Sequence, residues 1–151
     1  MKSDILQETL GTIFKNIEKD GIQKIVVGAV IFVKDNALLL LKRKADDFMG
    51  GLVELPSGTL ESNEDILIGL KREIKEETNL DIKSVDAYIG AFDYLSGSGK
   101  KTRQLNFRVT TTDTNIKLSE EHEDFYLCSK TSEEYKKLNI SEKTREIIEK
   151  A

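Results

Sequence analysis

The stretch "LKREIKEETNL", Leu70 to Leu80, gathers Glu73, Glu76 and Glu77 into five residues of a helical apolar pattern. At about 100° per residue, with Ile66 set at zero, Leu70, Ile74 and Leu67 fall at about 40°, about 80° and about 100° and define a buried stripe. The same geometry puts Glu77 at about 20°, Glu73 at about 340° and Glu76 at about 280°, overlapping the edge of that stripe. Whatever this chain folds into must bury one face of a helix beside a row of carboxylates.

A solvated, salt-bridged face would supply cations three or four positions away. Arg72 is so placed for Glu76, but Lys71 and Lys75 point away, at about 140° and about 180°. Glu73 and Glu77 are four apart, a repulsive pair with no helical Lys or Arg partner. Unpaired charge beside apolar surface is costly. Either a carboxyl group stays protonated through a raised pKa, or a divalent cation that prefers hard oxygen ligands (Mg²⁺, Mn²⁺ or Ca²⁺) sits among them. The preceding loop offers further oxygens, which favours the cation and a site for Mg²⁺ or Mn²⁺. Gly69, at about 300°, leaves that face uncrowded at some cost in helix propensity.

The helix spans about 63–78, with Ser62 and Asp65 as a capping-box start and Asn79 as a left-handed C-terminal residue. Before it, "IVVGAVIFV" (25–33) and "ALLLLKRK" (37–44) are β-rich runs joined at Asp35-Asn36, which predicts a hairpin. Residues 45–62 read as a loop containing a short strand-like piece, "LVEL". After it, 84–95 and 101–111 read as strands, "LSEEHEDFYL" as part of a polar loop, and 141–150 as a final helix. Residues 4–18 place Ile5, Leu6, Leu10, Ile13, Phe14 and Ile17 on one stripe of an amphipathic helix that either covers the sheet or forms a homodimer interface. Strands on both sides of a central helix, with helices at the ends, predict α/β layers around a mixed sheet, and 151 residues suit one domain, 1–151.

A net charge of −4 gives no overall attraction for nucleic acid or an anionic membrane, so the expected partners are small molecules or proteins. No apolar run reaches membrane-spanning length, the N-terminus lacks the apolar centre of a signal peptide, and a lone Cys128 permits no intrachain disulfide. The expected location is the cytoplasm, with Cys128 a buried small hydrophobe.

Gly58 to Leu80, "GTLESNEDILIGLKREIKEETNL", resembles the Nudix box, G-x5-E-x7-R-E-U-x-E-E-x-G-U with U a bulky aliphatic residue. Gly58, Glu64, Arg72, Glu73, Ile74, Glu76, Glu77 and Leu80 match at the required spacing. Asn79 stands where the family has Gly, a change that a left-handed position tolerates, and Ser57 replaces the first Gly of the usual Pro-Gly-Gly. The resemblance implies an α/β/α sandwich and a MutT-like pyrophosphohydrolase that uses Mg²⁺ or Mn²⁺ on a nucleoside diphosphate linked to another group. The first expected substrate is a nucleoside triphosphate, ordinary or oxidised, giving monophosphate and pyrophosphate. The alternatives are a nucleotide sugar of the ADP-ribose type and a non-catalytic module that senses a nucleotide or binds a protein. Degenerate modules usually lose box glutamates, and all are present here.

Carried over, the resemblance makes Glu73, Glu76 and Glu77 the metal-binding and water-activating set, with the backbone carbonyl of Ser57 or Gly58 as a further ligand. Arg72 would orient Glu76 or Glu73 by a salt bridge, and Glu64 would be structural or electrostatic. Arg43 matches a position where relatives hold substrate phosphate, against the plainer reading of a strand-end charge. Glu120, Glu121 and Glu123 are candidates for a general base from a later loop, each otherwise an exposed charge. His122 reads as a solvated loop side chain. Phe48 and Met49, and Tyr88, Phe92 and Tyr94, are candidates for a base pocket or for cover over the core.

Overall fold

The computed structural model describes residues 2–46, 50–112 and 115–151. Phe48 and Met49 lie outside the described residues, as does the side chain of Ile5. In chain order the elements are α1 (Lys2–Lys19), β1 (Lys24–Val33), β2 (Ala37–Arg43), β3 (Val53–Glu54), β4 (Ser57–Thr59), α2 (Ile66–Thr78), β5 (Ile82–Leu95), β6 (Lys101–Thr111), β7 (His122–Cys128), α3 (Glu133–Lys137) and α4 (Glu142–Lys150).

Both faces of the central strands are buried, which is why their sequences are nearly continuous apolar runs. Alternation sorts the side chains. Val27, Ala29 and Ile31 of β1 and Leu39 and Leu41 of β2 pack with the stripes of α1 (Leu10, Ile13, Ile17) and α2 (Ile66, Leu70, Ile74). Val30, Leu38 and Leu40 face the other way, onto Leu55, Cys128, Tyr135, Ile147 and Ile148. The result is the α/β/α sandwich around a mixed sheet that the sequence predicts. α1 uses its stripe to cover the sheet, although Phe14 stays half-exposed. Among the described residues no helix is long and apolar enough to cross a membrane.

The sheet runs β3-β2-β1-β6-β5, with β4 also paired to β1 and β7 to β2. β1 and β6 are parallel, and the other pairs are antiparallel. The expected β1–β2 hairpin forms, but its pairing extends only over Phe32↔Leu38 and Val33↔Ala37. Along the same edge β1 pairs with β4 instead, Val27 opposite Gly58 and Gly28 opposite Ser57. The sheet therefore splays between β4 and β2, and α2 packs against β4 and β1 beside that opening.

Two sequence expectations need correction. α2 begins at Ile66, and its cap is Asp65, whose carboxylate accepts from the backbone N–H of Leu67 and Ile68. Ser62 lies in the turn before it. The segment read as a polar loop ends in a strand, β7, antiparallel to β2 along most of its length. The C-terminus of α2 is as expected: Asn79 is left-handed at φ 69°, and its side chain donates to the Asn115 carbonyl at 3.0 Å.

Candidate active site

Arg72 organises the acidic face of α2. Its Nε and Nη2 donate to the two carboxylate oxygens of Glu64 at 2.8 and 2.9 Å, and Nη2 also reaches the Thr59 carbonyl at 3.2 Å. Nη1 donates to Glu73 at 2.8 Å and to both oxygens of Glu76 at 3.3 Å. One guanidinium thus ties the loop before the helix to two of the three glutamates. Besides Arg72, Glu64 takes the Glu61 N–H at 3.0 Å, and the Arg72 bonds first, then Glu61, hold its pKa at about 2.

The three glutamates differ sharply in exposure, and the helical wheel explains the order. The side chain of Glu76, farthest from the stripe, is 57% exposed, that of Glu73 13% and that of Glu77 4%. Burial pushes the Glu73 carboxyl up, with Glu76 and Glu121 adding repulsion, although Arg72 opposes the rise. Burial acts more strongly on Glu77 and, with Glu121, Glu54 and Glu73 nearby, pushes it up to about 9, against a contact from the Ser57 backbone. Glu73 sits so close to β4 that a Cβ on Gly58 would fall 1.8 Å from its Oε2, so any side chain there would push the Glu73 carboxylate away. Gly69 does the same for the entry loop: a Cβ would meet Leu60 at 2.3 Å and Glu64 at 2.9 Å.

Glu73, Glu76 and Glu77 line one cavity of about 570 Å³, together with Ser57, Gly58, Glu121 and Arg43. They line it without closing on one point. Among the described residues no three His, Cys, Asp or Glu side chains form a ready-made cage, because Arg72 draws Glu73 and Glu76 while Glu77 turns inward. The donor set nevertheless suits a hard divalent cation: carboxylate oxygens, backbone carbonyl positions at Ser57 and Gly58, and a buried Glu77 Oε2 with no hydrogen-bond partner.

The other candidates separate. Arg43 lines the cavity and is tied to Glu54 Oε2 at 3.0 Å. Of the later acidic residues, Glu121 reaches the cavity, Glu123 lies 3.8 Å from Lys42 at the surface, and Glu120 is exposed. Tyr94 lines this cavity too, whereas Tyr88 and Phe92 line another of about 460 Å³ against α1. Cys128 is buried, and burial pushes its thiol up. His122 is not a solvated loop residue. It is 5% exposed, with Nε2 2.9 Å from Glu54 Oε2 and Nδ1 3.6 Å from Glu77 Oε2.

The carboxylate helix, its arginine hub and the splayed mixed sheet define the class: a family model described as NUDIX domain matches residues 23–150, and the chain belongs to that family. Among individual relatives, the chain is 44% identical over 62 residues to an ADP-ribose pyrophosphatase of Methanocaldococcus jannaschii, a match spanning 41% of this chain and 36% of that protein. Two solved structures share the fold. A MutT NUDIX hydrolase from Burkholderia pseudomallei superposes with a TM-score of 0.72 at 21% identity, over 85% of this chain and 97% of the other. A MutT protein from Methanosarcina mazei Go1 gives 0.73 at 24% identity, over 83% and 90%.

Proposed function

We propose that this chain is a metal-dependent pyrophosphohydrolase that cleaves a phosphoric anhydride in a nucleoside diphosphate derivative. The observation that carries the reading is the shared cavity of Glu73, Glu76 and Glu77, with a buried Glu77 oxygen left unpaired beside it. Glu73, Glu76 and Glu77, with a backbone carbonyl at Ser57 or Gly58, would hold Mg²⁺ or Mn²⁺. Such a cation, when bound, neutralises charge on the phosphates and makes a water more acidic. Glu76, the most exposed of the three, takes the proton of the attacking water. The water oxygen bonds to phosphorus, the bridging P–O bond breaks, and the departing group leaves with the electron pair. Arg72 keeps Glu73 and Glu76 in register, and Arg43 meets substrate phosphate from the β2 side of the cavity.

A nucleoside triphosphate yielding monophosphate and pyrophosphate is the first substrate. ADP-ribose is the second reading, favoured by the archaeal relative. Incubation with ordinary and 8-oxo nucleoside triphosphates, ADP-ribose, other nucleotide sugars and dinucleoside polyphosphates, in Mg²⁺ and then in EDTA, tests both. Monophosphate plus pyrophosphate supports the first, and AMP plus ribose 5-phosphate the second. Folded protein that binds one of these nucleotides and cuts none would instead be a sensor.

A further inference from the structure

Two buried polar atoms face each other beside α2 with no other partner: Glu77 Oε2 and His122 Nδ1, 3.6 Å apart. Their side chains are 4% and 2% exposed. That separation is too long for a hydrogen bond, and too short for a bridging water, which at its near-tetrahedral angle joins atoms about 4.5 Å apart. Buried polar atoms are rarely left unpaired, and an approach of about half an ångström by either side chain would join these two.

The other edge of the imidazole is already fixed. Nε2 lies 2.9 Å from Glu54 Oε2, which also accepts from Arg43 Nη1 at 3.0 Å. The position comes from an irregularity in the sheet: β7 pairs regularly with β2 up to Lys42↔Asp124, then shifts so that His122 stands opposite Arg43. Such bulges re-aim a side chain. Here it points a ring into the space between β3 and α2, held on one side and free to meet Glu77 on the other.

We propose that His122 is a positioning residue for the cation site, its Nδ1 edge fixing the carboxyl group of Glu77 while Glu54 and Arg43 anchor its Nε2 edge. This rests on the reading of Glu77 as a cation ligand. Residues that orient a ligand from behind commonly contribute about 10- to 100-fold to metal affinity.

The test is Mn²⁺ affinity of the full chain, read by electron paramagnetic resonance at one pH, for wild type, Glu77→Gln, His122→Asn and His122→Gln. Asn carries an amide nitrogen near the place of Nδ1, and Gln near the place of Nε2. The expected result is binding about 10- to 100-fold weaker in His122→Gln and near wild type in His122→Asn, with Glu77→Gln weakened too. Weak binding in Glu77→Gln but wild-type binding in His122→Gln would overturn the role of His122 and leave the cation reading standing. Equal weakening in both His122 variants would reduce the ring to packing and overturn the Nδ1 contact. Wild-type binding in Glu77→Gln would remove the cation reading itself. Should a variant not fold, the wild-type protein still decides, because His122 is the only histidine and its ring ¹⁵N signals need no assignment. Adding Mg²⁺ should move the Nδ1 resonance well beyond the Nε2 resonance, and an unmoved Nδ1 would overturn the proposal.

Discussion

Glu77 makes stability depend on pH in a way that one substitution should erase. Burial and three neighbouring carboxylates raise its pKa from 4.5 to about 9. Between those values the folded chain holds one proton more than the unfolded chain, so this group's contribution is complete below pH 4.5 and is lost as pH rises toward 9. A group titrating across that window contributes a slope of about 1.4 kcal/mol per pH unit, or roughly 3 kcal/mol between pH 6 and pH 8. Gln is neutral and nearly the same shape, so Glu77→Gln should lack this slope. Urea unfolding of both proteins at pH 6 and pH 8, in EDTA, measures the difference directly. A divalent cation favours the ionised carboxylate, so Mg²⁺ should shrink the wild-type loss at pH 8 and do little for the variant. Parallel pH profiles in EDTA would refute a protonated, buried Glu77.

Three further outcomes follow from local geometry. Gly58→Ala should drive the Glu73 carboxylate off β4 and lower kcat about 100-fold, the scale for a misplacement of about 1 Å, while the far-ultraviolet circular dichroism stays unchanged. Asp65→Ala removes the acceptor for two N-terminal amides of α2 and should lower unfolding free energy by about 1 kcal/mol in a denaturant titration. Asn79→Ala removes the side-chain amide that donates to the Asn115 carbonyl and puts a residue less tolerant of the left-handed region at φ 69°, so it should cost about 1–2 kcal/mol by the same titration, whereas Asn79→Gly, which loses only the hydrogen bond, should cost less.

Much of the acidic site could be read from periodicity because α2 is a regular helix. The wheel angles of Glu77, Glu73 and Glu76 order their burial, Arg72 lies four residues before Glu76, and Asn79 takes the left-handed turn. The second contact of Arg72 was less visible, since Glu64 comes from the turn before the helix and meets it only once the chain folds back. His122 was hidden for a different reason. β7 carries half-exposed Phe125 and Leu127 on one face and begins with polar residues, so its alternation does not announce a strand with a buried end. The shift in register opposite Arg43 is a property of two strands together, which no single segment encodes. Glu54 likewise shows in the sequence only as part of a short strand-like piece, and its place beside Arg43 and His122 depends on β3 pairing with β2. One cue was available: a lone histidine among four acidic residues, Glu120, Glu121, Glu123 and Asp124, has unusual company for a solvated side chain.

The most direct measurement of the central claim is the Mg²⁺-dependent rate of anhydride cleavage by wild type and Glu76→Gln, on whichever nucleotide of the panel wild type cuts. If the acidic face of α2 is the reaction centre, the variant should fold as wild type does and lose about 100-fold or more in kcat, with EDTA silencing both. A folded Glu76→Gln that turns over at the wild-type rate, or wild-type cleavage that continues in EDTA, would place the chemistry elsewhere.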